Sequence, residues 1–370
     1  ADAANFVSQR SRLNFNFKQD KLKLGISVQN VRVWGDVSTL SSIDKNGVAL
    51  HEAWGEALLS DKFSVKLGRQ EIVYDDHRIF GNVGWAQQGR SHDAMVAKYI
   101  PNAKNRFDFG FAYNANAETL AQETYAVNQY KAFQYIWYNG QIDKVGLSLL
   151  FLNNGMEYLE LGNQEIAYSQ TFGPRLTYKV GKLGLDAATY LQTGKIANND
   201  VSSSYFTANA NYKLNDNFSA VAGFEYLSGK NMNDSSSKVK SFNPLYGTNH
   251  KFNGWMDYFY VGNHINSVGL TDIYFTLNYQ KNKFSANVTP HFFNASGDIY
   301  SGTTKQSNNL GTEIDFSIGY KVANNINFNA GFSKMFATNS MEILKSGDKD
   351  EANTWSWVMV TFSPKLFTSK

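Results

Sequence analysis

Charged side chains in alternating runs are where this sequence could do chemistry. Arg12, Arg32, Glu52, Arg69, Arg78, Arg90, Asp93, Arg175, Lys251, Asp257 and Glu313 are the candidates. A guanidinium is planar and grips carboxylates through two parallel hydrogen bonds. Arginines and carboxylates facing each other across a water-filled passage set up a transverse field that sorts anions and sugars by charge and hydrogen bonding. Neighbouring aromatic rings would add stacking on sugar faces. The same residues would serve equally as ion pairs that stiffen a wall, and for each one that reading stays open.

Enzyme chemistry finds less support. The chain has 6 His and many Ser but no G-x-S-x-G setting, and Ser91 beside His92 reads as ordinary polar surface. The acidic run at 347–351 lacks the spacing of a calcium loop. No catalytic residue, metal site or cofactor is expected.

The elements that must hold these charges are strands. Phe63, Val65 and Leu67 alternate with Ser64, Lys66 and Gly68, and the run resumes at Met95, Ala97 and Tyr99. Phe107, Phe109, Phe111 and Tyr113 do the same, as do Phe206 to Tyr212 and Ile314 to Tyr320. A period of two gives one apolar face and one polar face. From Arg10 the polar set Arg10, Arg12, Asn14, Asn16 opposes Leu13, Phe15 and Phe17. Near Asn30 the phase slips to Val31 and Val33, which predicts a bulge. Pro174 and Pro290 fall inside apolar runs and predict bulges or strand ends. The final run from Trp355 is apolar on both faces and leaves its orientation open.

Connections alternate in length. Short ones fall at 19–21, 61–62, 101–105, 139–143, 181–182, 215–217, 281–283 and 323–325. Long ones fall at 35–49, 75–92, 115–128, 153–165, 195–203, 229–269, 297–309 and 338–351. Alternation of this kind puts tight turns at one rim and long loops at the other. Tyr99, Phe107, Tyr113, Tyr178, Tyr212, Phe218, Tyr226, Tyr279, Phe284 and Tyr320 lie near strand ends, where aromatic girdles meet lipid headgroups. The expectation is an all-β fold, a transmembrane antiparallel up-and-down barrel with short periplasmic turns and long extracellular loops. The connections join seventeen visible strands. Bacterial single-chain barrels are even, so a first strand upstream of Ala1 would bring the count to about eighteen. The alternative is a separate strand at 258–262.

Composition agrees. The 370 residues carry 15% aromatics, 29 Gly, 5 Pro and no Cys. No run of about 18 apolar residues offers a membrane helix, and a barrel can be polar because alternate residues face water. A net charge of +3 is too small and mixed for a nucleic-acid partner. The start ADAANF has no initiator Met or leader, and a removed signal peptide is expected. The whole of 1–370 reads as one barrel. The insert 229–269 exceeds an ordinary loop, and its aromatic later half, 246–261, is expected to fold into the lumen.

Two stretches carry a resemblance. Gly68-Arg69-Gln70, Tyr74-Asp75-Asp76-x-Arg78, Gly81-Asn82, Trp85-x-Gln87-x-Gly89-Arg90 and Asp93 resemble the signature hairpin of the alginate-export family of outer-membrane barrels. Leu245-Tyr246-Gly247-Thr248-x-His250-Lys251-Phe252-x-Gly254-Trp255-x-Asp257 is similar to a second stretch of that family. The resemblance implies eighteen strands, a Gram-negative outer membrane with its lipid and lipopolysaccharide, and passage of a solute. That solute would be anionic or sugar-like, up to a polysaccharide such as alginate, with no ATP and with periplasmic or outer-membrane protein partners. The competing expectation is a plugged barrel that acts as a docking subunit in a larger assembly.

Overall fold

The computed structural model describes residues 4–121, 123, 125 and 130–368. Of the loop expected at 115–128, residues 122, 124 and 126–128 lie outside that set, as do residues 1–3. Among the described residues the chain forms twenty strands. The first seven are β1 (Ser8–Gln19), β2 (Leu22–Val33), β3 (Ala49–Leu58), β4 (Phe63–Gln70), β5 (His92–Asn102), β6 (Asn105–Tyr113) and β7 (Ala132–Ile142). Then come β8 (Val145–Glu160), β9 (Asn163–Val180), β10 (Leu183–Ile196), β11 (Asn199–Asp200), β12 (Ser203–Lys213) and β13 (Phe218–Leu227). The last are β14 (Leu270–Lys281), β15 (Phe284–Asn294), β16 (Tyr300–Ser301), β17 (Thr304–Lys305), β18 (Asn309–Ala323), β19 (Ile326–Ala337) and β20 (Thr354–Phe362). Strands β11, β16 and β17 are two-residue pieces within loops. The other seventeen lie in one sheet, each from β1 to β19 pairing antiparallel with the next long strand. Among the described residues β1 and β20 share no ladder, and the Phe6 ring stands 5.9 Å from that of Trp355, so the two ends of the sheet curl toward each other. Among the described residues, no helix is long and apolar enough to cross a membrane.

The polarity of the two faces is the reverse of a soluble protein. Leu13, Phe15, Leu67, Phe109, Leu149, Phe151 and Phe275 are exposed on the outer face, whereas Asp108, Glu225, Asp272, Glu313 and Asp315 are buried on the inner one. Such a surface is stable only where hydrocarbon covers it. Aromatics collect at the short-turn rim. Phe107 lies 6.2 Å from Tyr99 and 4.7 Å from Tyr138, and Tyr279 lies 4.8 Å from Phe218 and 6.1 Å from Phe284.

On the inner face, Gly25, Gly110, Gly223 and Gly331 sit directly opposite Trp54, Tyr135, Tyr274 and Trp357. A Cβ at these glycines would fall 2.3, 1.8, 2.2 and 2.5 Å from the facing ring. The ring therefore lies flat across the bare backbone, a pairing that fixes register and curvature.

Several expectations need correction. Strands β1 and β2 pair without a slip from Ser8↔Val33 to Gln19↔Leu22, so there is no bulge at Asn30. The irregularity is on β3: Ser27 pairs with Glu52 and Val28 with Leu50, which leaves His51 as the extra residue. Pro174 and Pro290 are mid-strand. The β9–β10 ladder lapses between Phe172 and Arg175 and resumes in the same register, and the β14–β15 ladder does so between Val288 and His291. One missing donor interrupts the ladder there without shifting its register.

Stretch 153–165 is no loop. Strands β8 and β9 stay paired up to Glu160↔Asn163, turning at Leu161 and Gly162 with φ of +48° and +87°. Above Gly155 on β8 and Ser169 on β9 the two pair only with each other. Loop 195–203 is likewise a tight turn closed by β11, and 297–309 holds the β16–β17 hairpin. Loop 338–351 holds a short helix, α1 (Asn339–Lys345), capped by the Thr338 hydroxyl accepting from the Met341 N–H. Residues 258–262 form bends and no strand. In β20, Val358, Val360 and Phe362 point outward and Trp357 inward.

Candidate functional site: a wall network and an anchored insert

Two connections that leave the sheet at the long-loop rim pack onto its inner face. The first, 71–91, buries Ile72, Tyr74, Ile79 and Phe80. The Tyr74 hydroxyl lies 2.8 Å from Asp108 and 2.9 Å from the Tyr135 hydroxyl, and its ring stacks on Trp137 at 4.4 Å. Trp137 donates to Asp75 at 3.1 Å. Burial pushes the Asp75 carboxyl up, against that hydrogen bond. Asp76 lies 3.3 Å from Arg175, whose other edge meets Asp186 at 2.6 Å.

The second connection is the insert 229–269. It buries Phe242, Tyr246, Phe259 and Tyr260, and it joins the first. Phe80 bridges to Tyr246, Thr248 N–H donates to His77 O at 2.9 Å, and Val83 N–H donates to the Thr248 hydroxyl at 3.0 Å. Val83 has φ of +50°. A β-branched residue there carries strain of ~1–3 kcal/mol, which the contacts with the insert hold in place. The two stretches that carry the family resemblance are thus one packed unit.

That unit is tied to the wall through Arg78, which is 1% exposed. Its Nη2 donates to Glu225 at 3.1 Å and to the Asn253 side chain at 3.1 Å. Its charge sits over the rings of Phe252 (4.5 Å), Tyr205 (5.3 Å) and Tyr260 (5.9 Å). Tyr205 donates to Glu225 at 2.6 Å. Asn253 also donates to Glu225 and, at 3.3 Å, to Asp272. His291 then links Asp272 (2.9 Å) to Asp315 (3.7 Å). Further along, the backbone N–H groups of Trp255 and Met256 donate to Asp315 and Glu313 at 3.2 and 2.9 Å. Buried polar groups joined in a chain like this one rigidify what they link, although Arg78 Nε and Nη1 and Glu313 Oε2 have no hydrogen-bond partner among the described residues.

The other predicted residues divide into two groups. Arg12 faces inward, donates twice to Gln29 at 3.0 and 2.7 Å and lies 3.8 Å from Glu71. Glu52 accepts from the Glu71 N–H at 3.1 Å. Arg90 donates to Gly247 O at 2.9 Å, and burial lowers its pKa. Asp257 meets His250 at 2.6 Å. Lys251 is exposed and donates to the Asp76 carbonyl at 2.9 Å.

Arg32, Arg69 and Asp93 do not line the inner wall. Arg69 shares the outer face with Phe63 and Leu67, and Asp93 shares it with Met95; the two pair with each other at 2.9 Å. Arg32 sits opposite Gln9 on the outer side and pairs with Asp44. All three stand at the long-loop end of their strands, where the outer surface turns polar above the apolar band.

Sequence reasoning missed His291 and Lys66. Lys66 lies over the Trp54 ring at 4.0 Å. Both fall in the inward phase of their strands, which is the signal that could have found them. Ser91 pairs with His51 at 3.2 Å and not with its neighbour His92, and His51 meets Glu71 at 2.8 Å. The imidazole offers Nδ1 to the serine, and Gly89 packs against Cε1 between the two nitrogens. We read this chain as a tie between the ends of β3, β4 and β5.

Comparison with known proteins agrees with this architecture. The structure resembles the outer membrane protein OprD of Pseudomonas aeruginosa, with a TM-score of 0.61, 12% identity, 97% of this chain and 91% of that chain covered. OccD3 (OpdP) of the same organism gives 0.65, 11%, 99% and 88%. OpdK, solved with vanillate, gives 0.62, 11%, 97% and 93%. Among curated proteins no sequence relative matches.

The alginate export family model matches residues 5–353, and the chain belongs to that family. With that family and an apolar outside around a polar inside, the chain is a porin-type channel of the Gram-negative outer membrane, set in lipid and lipopolysaccharide and passing solute selectively.

Proposed function

We propose that this channel is passive and prefers organic anions, from small carboxylates to uronate polymers such as alginate. In this reading 1–370 is one barrel, and the insert 229–269 together with 71–91 folds into the lumen and sets its narrowest section. The observation that carries the preference is an imbalance of free charge. The inner-face carboxylates Glu225, Asp272, Glu313 and Asp315 are buried. Lys66 lies over a ring, and Lys251 and Arg10 donate only to the carbonyls of Asp76 and Gln87. Among the described residues Glu52 accepts from a backbone N–H and pairs with no cation, so these three cations face one such carboxylate and a solute would meet more unneutralised cations than anions. The family's name and the vanillate in OpdK's title are in keeping with a carboxylate cargo. Of the predicted residues, Arg12 and Lys251 would act on solute, and Arg78, Arg90, Arg175, Asp257 and Glu313 would hold the insert.

Reversal potentials across a planar bilayer under a salt gradient test this. The wild type is expected to prefer chloride over potassium, and a Lys66→Gln, Lys251→Gln, Arg10→Gln variant is expected to move toward no preference. A cation-selective wild type would refute the assignment. The buried anchor of the insert favours a second reading, a plugged barrel that docks partners; a protein that inserts but never conducts, even without the insert, would decide for it. We read the protein as non-enzymatic, and labelling of Ser91 by a serine-directed fluorophosphonate would overturn that.

A further inference from the structure

The insert and 71–91 are not held evenly around the wall. Every long strand from β2 to β19 has at least one buried inner-face residue, for example Ser27 on β2, Tyr135 on β7, Thr171 on β9, Asp272 on β14 and Ser333 on β19. Strands β1 and β20, the two edges of the sheet with a paired neighbour on one side only, have none: Arg10, Asn14 and Asn16 are exposed, and Trp355, Trp357 and Met359 are half-buried.

The contacts differ in kind as well. On the far side the unit is fixed by fully buried bonds, such as Arg78 to Glu225, and by Gln192, which both donates to Asn243 O at 2.7 Å and accepts from its N–H at 2.9 Å. Towards β1 the unit offers only the tip 84–88. Gln87 donates to the Ser8 hydroxyl at 3.0 Å, and Arg10 donates to Gln87 O at 3.4 Å, both in exposed positions. At the margin Gln29 donates to Gln88 O at 2.8 Å. Trp85, still exposed, leans on Trp357 with ring centroids 4.8 Å apart. Exposed hydrogen bonds contribute little against water, whereas buried ion pairs are costly to break.

Resting on the channel reading above, we propose that solute crosses off-axis, between the tip 84–88 and the inner face of β20 and β1, and that Arg10 and Trp85 are the side chains it meets there. The tip yields while the remainder of the insert stays fixed.

The chain has no Cys, so engineered thiols have no background. In a Ser8→Cys, Gln87→Cys variant, a short bis-methanethiosulfonate cross-linker is expected to cut single-channel conductance to under a tenth, with recovery on reduction. The same reagent on Glu160→Cys, Asn198→Cys, an exposed pair away from the tip, is expected to leave conductance unchanged. A cross-linked first variant that conducts like wild type, or a control that loses its current, overturns the off-axis path. Should the double variants fail to assemble, Asn14→Cys with a sulfonate-bearing thiol reagent gives the second readout: current at half or less supports the path, and unaltered current refutes it. A wild type without current would instead sink the channel reading itself.

Discussion

Replacing Arg78 by Met is expected to raise single-channel conductance several-fold while the barrel still inserts. The substitution keeps most of the side-chain volume and removes the cation, so Glu225 is left buried with only Tyr205 and Asn253 as partners. An uncompensated buried carboxylate costs ~3–5 kcal/mol, which offsets much of what the hydrogen bonds to carboxylates from Asn253 and the Trp255 and Met256 backbone contribute at ~1.5–3 kcal/mol each. The insert should therefore detach far more often than in the wild type, and detachment shows as larger and noisier current. Adding Glu225→Gln to Arg78→Met removes both charges together and should recover most of the closed behaviour, because pairs removed as a unit cost far less than half-pairs. If the single and the double variant both conduct like wild type, the Arg78–Glu225 contact does not hold the insert.

A charge on the outer wall has the second large effect. Leu149 is exposed in the middle of the apolar stretch of β8, between Val145 and Phe151. Leu149→Arg should destabilise the folded barrel by ~2–4 kcal/mol, the cost of a guanidinium near the bilayer midplane. Arg69→Leu, at the polar end of the same face, should change stability by less than about 1 kcal/mol, as for an exposed ion pair. Urea unfolding in lipid vesicles measures both. Equal effects would mean that the outer face is not graded by depth, and the assignment of a hydrocarbon band would fall.

The strands were legible because alternation at Phe107, Phe109 and Phe111, or at Ile314, Phe316 and Ile318, is the direct imprint of lipid on one side and water on the other. What could not be read was where the strands stop. The apolar phase ends at the edge of the bilayer, but the backbone ladder needs no apolar side chains and continues beyond it. That one fact accounts for the false bulge at Asn30, for the loop expected at 153–165, and for Arg32, Arg69 and Asp93 placed on the inner wall. Charge type alone gave no hint of facing, and phase counted from the nearest apolar run would have given it.

The site was legible in pieces. Arg78 and the segment from Tyr246 to Asp257 stood out by composition and by resemblance. Their union through Phe80 and Tyr246 could not be read, because it depends on two connections 157 residues apart, counted from Arg90 to Gly247, meeting inside a curled sheet. Arg78 also looked like a solute ligand. Its full burial under Phe252 and Tyr205 makes it a fastening, and that distinction exists only in three dimensions.

The β8–β9 hairpin has one more implication. Its upper part has neither a third strand beside it nor a fatty environment around it, and a two-stranded ribbon in water is barely stable on its own. Leu159 and Leu161 at its tip are exposed. The same two chains are therefore rigid where they line the wall and loose where they emerge, so this hairpin is the outermost feeler of the molecule, able to reshape against whatever touches the cell from outside.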